Sequence, residues 1–545
     1  MGFALGTLRG VNDGGNKWRD WALAAGAGLV WACAFPPVTF LPAAWLAPAL
    51  LLAATRAAPG RAFRLGFVAG IAHYFTSLAW VLYIPVAPGN IAGWLALSTY
   101  CSVYPAAWAA LCWYLFPGDS EKPIREALVD LSFGKRLGWG ASCALGWVAL
   151  ECLRGWVITG FPWNYLGASQ LEFTRLAMLA QFTGVLGVSL VVAWGSVGGL
   201  LLVWRWCGKK KFEPLMLKEL AGPAVLLAVA VGLGSFALAQ PLGAKRDELK
   251  IALIQPSIPQ TVLWNVNDKE SQYKRFAQLM DLSDIAVKKN PDLIVWPEAS
   301  VPPLRLLDPE VVVPRLQSLN AALRENQIWR VWGADRFENN APLNSSVLMD
   351  PDGNELAYYS KQHLVMFGEY VPFGEELPFL KKLAPVGNFA RGKGPEVFDM
   401  GRAKMSVIIC FEDVVPKLAR RAATPEVDFL LNLTNDGWFG QSHQQWQHAR
   451  SAAWRAIETR RPLVRCTNNG ITCWVDEHGH FHGVKPPVHS PRVNIVTIPL
   501  RKGPRAPTVY QRAGDWLSWG AVAVCVGLIL VRRKKDSASG ANPAN

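Results

Sequence analysis

Lys404-Met-Ser-Val-Ile-Ile-Cys410-Phe-Glu-Asp413 is the stretch on which the reading of this chain turns. Met405 and Val407 to Ile409 surround a single serine, the composition of a buried strand. Cys410 closes the strand and the acidic pair Glu412-Asp413 follows. A thiol at a strand end is held rigidly while its sulfur stays reachable, which is the placement a nucleophile needs. A lone cysteine is more often a small buried hydrophobe, so two further stretches bear on the choice. Pro291-Asp-Leu-Ile-Val-Trp-Pro-Glu298-Ala-Ser300 is another apolar strand, with a carboxylate at its end. Tyr358-Tyr-Ser-Lys361-Gln-His-Leu-Val-Met-Phe-Gly-Glu369-Tyr-Val-Pro372 brings a lysine out of a short strand into a loop marked by glycine and proline.

Glu298, Lys361 and Cys410, in that order and on those three frames, resemble the nitrilase superfamily of carbon–nitrogen hydrolases. The chemistry accounts for the trio. The thiolate attacks a carbonyl, and a nearby cation lowers the thiol pKa. The carboxylate takes the thiol proton and hands it to the leaving group. The lysine and the backbone N–H of Phe411 hold the developing oxyanion.

A chain of 545 residues is expected to hold at least two units. Hydrophobic residues make up 51% and charged residues 18%, too apolar for a purely soluble protein and too charged for a purely membrane one. The 25 tryptophans suit bilayer interfaces, where indole rings anchor. The net charge of +14 does not point to nucleic acid, because the basic residues lie in short loops between apolar runs rather than on one face. The ten cysteines contain no C-x-x-C pair and do not form a disulfide framework. Cys466 and Cys473 flank a turn and read either as a bridge or as two strand thiols. His443 and His448 do not share a helical face, and neither a metal nor a cofactor is expected.

About eight apolar runs approach the roughly 20 residues that a bilayer span needs. They cover 20–35, 38–55, 64–86, 90–116, 137–158, 176–204, 219–241 and 515–531. The first reads as an uncleaved helix rather than a signal peptide, since Trp31 is too bulky for a cleavage box. Arg56, Arg61 and Arg64 follow the second run, and Lys122, Arg125, Lys135 and Arg136 the fourth. Arg205, Lys209, Lys210, Lys211 and Lys218 follow the sixth, and Arg532 to Lys535 the last. The loops after the first and third runs carry no lysine or arginine. This alternation places the basic loops and both termini in the cytoplasm, and the polar block between the seventh and eighth runs on the far side, the periplasm of a bacterium. The expected organisation is a membrane domain at 1–244, a catalytic domain at 245–514, and a last helix with a basic tail at 515–545.

The polar block alternates strands and helices. Strands are predicted at 251–255, 293–296, 328–333, 346–349, 356–360, 405–410, 429–432, 463–466, 472–475 and 494–498. Helices are predicted at 268–289, 314–326 and 444–461. Mixed layers with catalytic groups at strand ends fit a nitrilase-like αββα sandwich inserted into a polytopic α-helical membrane domain.

That architecture, over nearly the whole chain, resembles the bacterial apolipoprotein N-acyltransferases. Phe35-Pro-Pro37, Glu151-Cys-Leu-Arg154-Gly-Trp156, Gly160-Phe-Pro-Trp163, Asn435-Asp-Gly-Trp-Phe-Gly440 and Thr467-Asn-Asn-Gly470 are similar to segments of that family. The resemblance implies that Cys410 takes the sn-1 acyl group of a phospholipid, typically phosphatidylethanolamine, as a thioester. The α-amine of a lipoprotein's diacylglyceryl-cysteine then receives it. Glu298 is implied as base and acid, and Lys361 as oxyanion donor. Glu369 and Glu412 match supporting carboxylates, or are loop-capping residues. Phe411 stands where family members often carry tyrosine. Trp264 and Trp438 match an acyl pocket and its lid, or pack ordinarily. Glu151 and Arg154, one helical turn apart, serve substrate binding with Trp163, or neutralise each other in the membrane. Val371, Phe373, Leu377, Phe379 and Leu380 make the loop after Lys361 apolar enough to meet lipid and exclude water. Two other readings stay open: a membrane-anchored amidase hydrolysing a small amide, and a transporter with a periplasmic binding domain.

Overall fold

The computed structural model describes residues 17–119, 122–209, 213–265, 267–302, 304, 307–374, 376 and 388–538. Leu377, Phe379, Leu380, Lys210 and Lys211 lie outside the described residues, as does the side chain of Trp264. The chain divides into two compact units. One comprises 1–79, 94–237 and 515–545, and the other 80–93 with 238–514.

The first unit is helical. In chain order its longer helices before the second unit are α1 (Lys17–Ala32), α2 (Leu41–Ala54), α3 (Pro59–Ser77), α4 (Gly89–Tyr114), α5 (Phe133–Arg154), α6 (Val185–Lys209) and α7 (Ala221–Ala239). Among the described residues, four helices are long and apolar enough to cross a membrane: Gly89–Tyr114, Val185–Gly208, Pro214–Ala239 and Trp516–Ser537. The sequence suggested about eight such runs. The others are cut short or carry charge. The turn at Pro36-Pro37 follows α1, α2 spans only 14 residues, Arg61 and Arg64 sit within α3, and α5 holds Lys135, Arg136, Glu151 and Arg154.

The second unit is a two-sheet sandwich. One sheet runs β12-β1-β2-β3-β4-β5 and the other β11-β10-β9-β8-β7-β6, each six-stranded. Their ranges are β1 (Lys245–Gln255), β2 (Leu293–Val295), β3 (Trp329–Glu338), β4 (Ala341–Met349), β5 (Glu355–Ser360), β6 (Val397–Asp399), β7 (Lys404–Ile409), β8 (Phe429–Thr434), β9 (Leu463–Thr467), β10 (Cys473–Val475), β11 (Phe481–His482) and β12 (Arg492–Arg501). The sheets mirror each other: β1, β2 and β3 are parallel neighbours, as are β7, β8 and β9. Leu253, Val295 and Val331 from one sheet and Met405, Val407, Leu431 and Val464 from the other form the core between them. A second core lies between the first sheet and two helices, α8 (Lys269–Val287) and α9 (Pro309–Glu325). Helices α10 (Pro416–Ala422) and α11 (Gln444–Thr459) pack beside the second sheet, and α12 (Trp516–Ala538) returns to the first unit. The αββα order expected from the sequence is present.

Helix α9 begins before the predicted Pro314. Asp308 caps it by accepting from the Glu310 N–H at 2.9 Å, and Pro309 takes the first position, where its missing N–H costs nothing. Strands β6 and β11 and helix α10 escaped sequence reading because each is too short to show a period. Cys466 and Cys473 are separate buried thiols.

Candidate active site

Three strand ends build the site. Glu298 follows β2, and Gly333 of β3 lies beneath it. A Cβ on Gly333 would sit 2.4 Å from the Pro297 oxygen and 2.8 Å from the Glu298 Cα, so no side chain fits there. Lys361 follows β5 directly. Its N–H donates to the Asn344 carbonyl and its own carbonyl accepts from the Gly392 N–H, both at 2.8 Å. Cys410 follows β7 with φ of 51°, in the left-handed region that L-residues avoid. Such strain persists only where the surroundings enforce it, and it turns the side chain out of the strand register. Asn432 does part of the enforcing, its Nδ2 donating to the Cys410 and Ile408 carbonyls, each at 3.3 Å.

Lys361 Nζ lies 2.9 Å from Glu369 Oε1 and 3.4 Å from Glu298 Oε1. Asn344 Nδ2 donates to the same two oxygens, at 2.9 and 2.8 Å. The remaining carboxylate oxygens accept from backbone, Glu298 Oε2 from the Asn435 N–H at 2.8 Å and Glu369 Oε2 from the Val365 N–H at 2.9 Å. All are buried, Lys361 to 2% exposure. Burial opposes the charge on Lys361, but Glu369 and then Glu298 outweigh it and hold its pKa well above the ordinary lysine value.

Cys410 differs from the sequence expectation. Burial first, and then Glu298, push its thiol pKa well up, and the downward pull of Lys361 does not compensate. The resting sulfur therefore keeps its proton, and attack requires a base to remove it as the bond forms.

Glu412 is fully engaged. Its Oε1 accepts from the Gln362 and His363 N–H groups at 2.7 and 3.0 Å, and its Oε2 from the Ile409 N–H and Tyr359 hydroxyl at 2.8 and 2.7 Å. It thus ties the nucleophile strand to the residues just after Lys361. Burial raises its pKa against those donors. Phe411 stacks on His363 at 5.7 Å and 23°. Burial, then Lys417 and Lys361, push the His363 pKa down to about 4, so this ring is neutral. Trp438 is half-buried in the turn that follows Asn435. Trp264 ends the short helix begun by Gln260, whose Oε1 accepts from Asn435 Nδ2 at 2.8 Å.

Glu151, Arg154 and Trp163 belong to the other unit. Glu151 accepts from the Leu166 N–H at 2.7 Å, and Arg154 donates to the Phe161 and Trp163 carbonyls at 3.0 and 2.6 Å. Both residues fasten the segment after α5, a use of the pair that spacing alone did not suggest.

Sequence reading also missed Asn344 and the charges behind Cys410. Asn344 lies in Leu343-Asn-Ser-Ser346, a polar run inside a buried strand, which was the available signal. His448 of α11 bonds Asp413 Oδ1 at 2.8 Å through Nε2 and Asp436 Oδ1 at 2.7 Å through Nδ1. Arg465 of β9 pairs with Asp413 and lies 3.7 Å from Asp436. Burial would lower the His448 pKa, but Asp413 and Asp436 carry it to about 9.

Comparison with known proteins shows the family. The carbon–nitrogen hydrolase family pattern matches residues 250–502, and the apolipoprotein N-acyltransferase N-terminal domain matches residues 27–198. The apolipoprotein N-acyltransferase of Geobacter metallireducens is 35% identical over 95% of this chain and 96% of its own. That of Azotobacter vinelandii is 31% identical over 96% and 97%. An amidase from Nesterenkonia sp. superposes with a TM-score of 0.32 at 19% identity, covering 48% of this chain and 93% of its own. With both halves matched and relatives aligned from end to end, this chain belongs to the apolipoprotein N-acyltransferase family and is an acyltransferase.

Proposed function

We propose that the chain transfers the sn-1 acyl group of a phospholipid, phosphatidylethanolamine in the first instance, to the α-amine of the S-diacylglyceryl-cysteine that begins a lipoprotein. The buried Glu298–Lys361–Glu369 cluster beside Cys410 carries this reading. Glu298 accepts the thiol proton as the sulfur attacks the ester carbonyl. Lys361 Nζ and the Phe411 N–H stabilise the oxyanion. The carbon–oxygen bond then breaks, and the Glu298 proton passes to the departing glycerol oxygen. Lysophospholipid leaves and the acyl group stays on sulfur. In the second half the amine attacks the thioester, its proton goes to Glu298, and the amide forms as the thiol is regenerated. Glu369 and Asn344 hold Lys361 and Glu298 in place, and Glu412 holds the two loops together.

Trp264 and Trp438 are assigned to the acyl pocket, and Glu151, Arg154 and Trp163 to substrate contact in the membrane domain. All eight apolar runs are taken to cross the bacterial inner membrane. The domains are 1–244, 245–514 and 515–545, with the catalytic block in the periplasm and both termini in the cytoplasm. The alternation of basic and uncharged loops supports that orientation.

The test is intact mass spectrometry of the purified protein and of Cys410→Ala after incubation with phosphatidylethanolamine. The expected result is a fatty-acyl mass on the wild type that hydroxylamine removes and the variant lacks. An unmodified wild type would reject transfer through a thioester. Release of ammonia from small amides without any lipid would favour the amidase instead.

A further inference from the structure

The hairpin between β10 and β11 reads Asp476-Glu-His478-Gly-His480-Phe-His482. Asp476 Oδ1 accepts from the His478 and His480 N–H groups at 2.9 and 3.0 Å, which fixes the carboxylate inside the turn. Its other oxygen, Oδ2, lies 2.9 Å from His482 Nε2 and 3.3 Å from His480 Nδ1. Residues two apart in an extended segment share a face, so both rings reach the same oxygen. His478 adds a third ring, and the ligating atoms of Asp476, His478 and His480 all lie within 4.8 Å of one another. Glu477 takes no part, since it turns to Arg505 at 3.2 Å. The rings are accessible, with the His480 and His482 side chains 54% and 42% exposed.

We propose that this hairpin tip is a binding site for one divalent transition metal of the zinc, nickel or copper class. Asp476 and His480 are its core ligands, and His478 and His482 complete the set. The donor set is right for such ions: imidazole nitrogens and one carboxylate oxygen. Ligand atoms about 2.0–2.1 Å from a tetrahedral zinc lie about 3.4 Å apart. The His480–Asp476 separation of 3.3 Å already meets that spacing, the His482–Asp476 separation of 2.9 Å must open slightly, and the His478 nitrogen starts within 4.8 Å of its partners. A bound ion takes the place of the hydrogen bonds between Asp476 and the His480 and His482 rings. It ties the edge strand β11 to β10 and steadies Phe481, which packs edge-on against Trp446 of α11 at 6.0 Å. The site is independent of the acyl-transfer reading.

The test uses the full chain in detergent, without a polyhistidine tag, stripped with chelator and then titrated with Zn²⁺ and Co²⁺. Native mass spectrometry is expected to show one Zn²⁺ per chain, and Co²⁺ to give the visible bands of a tetrahedral site. The double variant His478→Ala/His480→Ala is expected to lose at least about tenfold in affinity and to lose the rise in melting temperature that Zn²⁺ gives the wild type. Its acyl-enzyme formation stays at the wild-type level, which shows that it folds. A wild type that binds no Zn²⁺ at about 100 μM, or a double variant that binds as tightly as the wild type, overturns the proposal. So does Co²⁺ bound only octahedrally, as on scattered surface histidines.

Discussion

Two buried charge clusters flank Cys410, and they are built on opposite plans. The first holds Glu298, Glu369, Lys361 and the thiol. The second holds Asp413, Asp436, His448 and Arg465. Counted formally, the first has two carboxylates and one ammonium, a net of −2 + 1 = −1 with the thiol neutral. The second has two carboxylates, an imidazolium and a guanidinium, a net of −2 + 2 = 0. The cluster that is short of a cation forbids a free thiolate, yet it permits a proton to move from sulfur to Glu298 at constant total charge. A proton passing from His448 to Asp436 or Asp413 would conserve charge too, but it would release no nucleophile. Chemistry belongs to the first and rigidity to the second, because the second grips both the turn after the nucleophile and the turn after β8.

The largest effects come from breaking the first cluster. Cys410→Ala is expected to abolish the acyl adduct outright, read by intact mass. Glu298→Gln keeps the shape and removes the base, and it should slow adduct formation by about 10²–10⁴. Lys361→Met removes the oxyanion donor and leaves Glu298 and Glu369 facing each other. A loss of about 10²–10³ in rate is expected in single-turnover assays, together with a lower melting temperature. If Lys361→Met kept most of the rate, the proposed role of the cation in transition-state stabilisation would be wrong.

Gly392→Ala tests the same cluster through its frame. The new Cβ would stand 1.8 Å from the Ser360 oxygen, so the backbone that positions Lys361 must move. A shift of about 1 Å at a catalytic group costs about 10²-fold. The expected signature is a fall in kcat with the phospholipid KM little changed.

The second cluster should answer in stability. His448→Gln leaves two buried carboxylates against one guanidinium, and losing one partner of a buried pair costs about 3–5 kcal/mol. The pH dependence follows from the shift. With a pKa of about 9 in the fold against the ordinary 6.5, His448 contributes its full stabilisation below pH 6.5 and loses it as pH rises through 9. The wild-type melting temperature should therefore fall between pH 7 and pH 10, more steeply than that of His448→Gln. Equal slopes would remove His448 from the account.

The sequence made the sandwich, the three strand-end residues and their order legible, because each sits where an apolar run stops and a single polar residue begins. It did not reveal Asn344, Gly392 or the second cluster. Their importance comes from what the fold brings against them: Asn344 meets two carboxylates from separate loops, and His448 meets Asp413 and Asp436 across sheet and helix. A single-residue signal cannot carry a contact between distant segments. The thiol pKa was misjudged for the same reason. A lysine in the sequence suggests a lowered value, but burial and Glu298 decide the balance, and neither is a property of the Cys410 neighbourhood in sequence. For the membrane helices, length and apolar content pick out four among the described residues, because Pro36, Arg61, Arg64, Glu151 and Arg154 interrupt or charge other runs that hydropathy alone counts.

The smallest effect is expected at Phe411. Phe411→Tyr leaves the backbone N–H that is assigned to the oxyanion. The ring is half-buried and stacks on a neutral His363. The effect of the added hydroxyl on adduct formation should stay within about 0.5 kcal/mol, roughly twofold. A gain of tenfold or more would mean that the hydroxyl supplies a stabilising donor this chain lacks, and the first cluster would then be incomplete. A loss of tenfold would mean that Phe411 is packed against the reacting atoms as tightly as the second cluster is packed against itself. Either result would erase the contrast between a cluster with room for chemistry and one with none, whereas a twofold change leaves it standing.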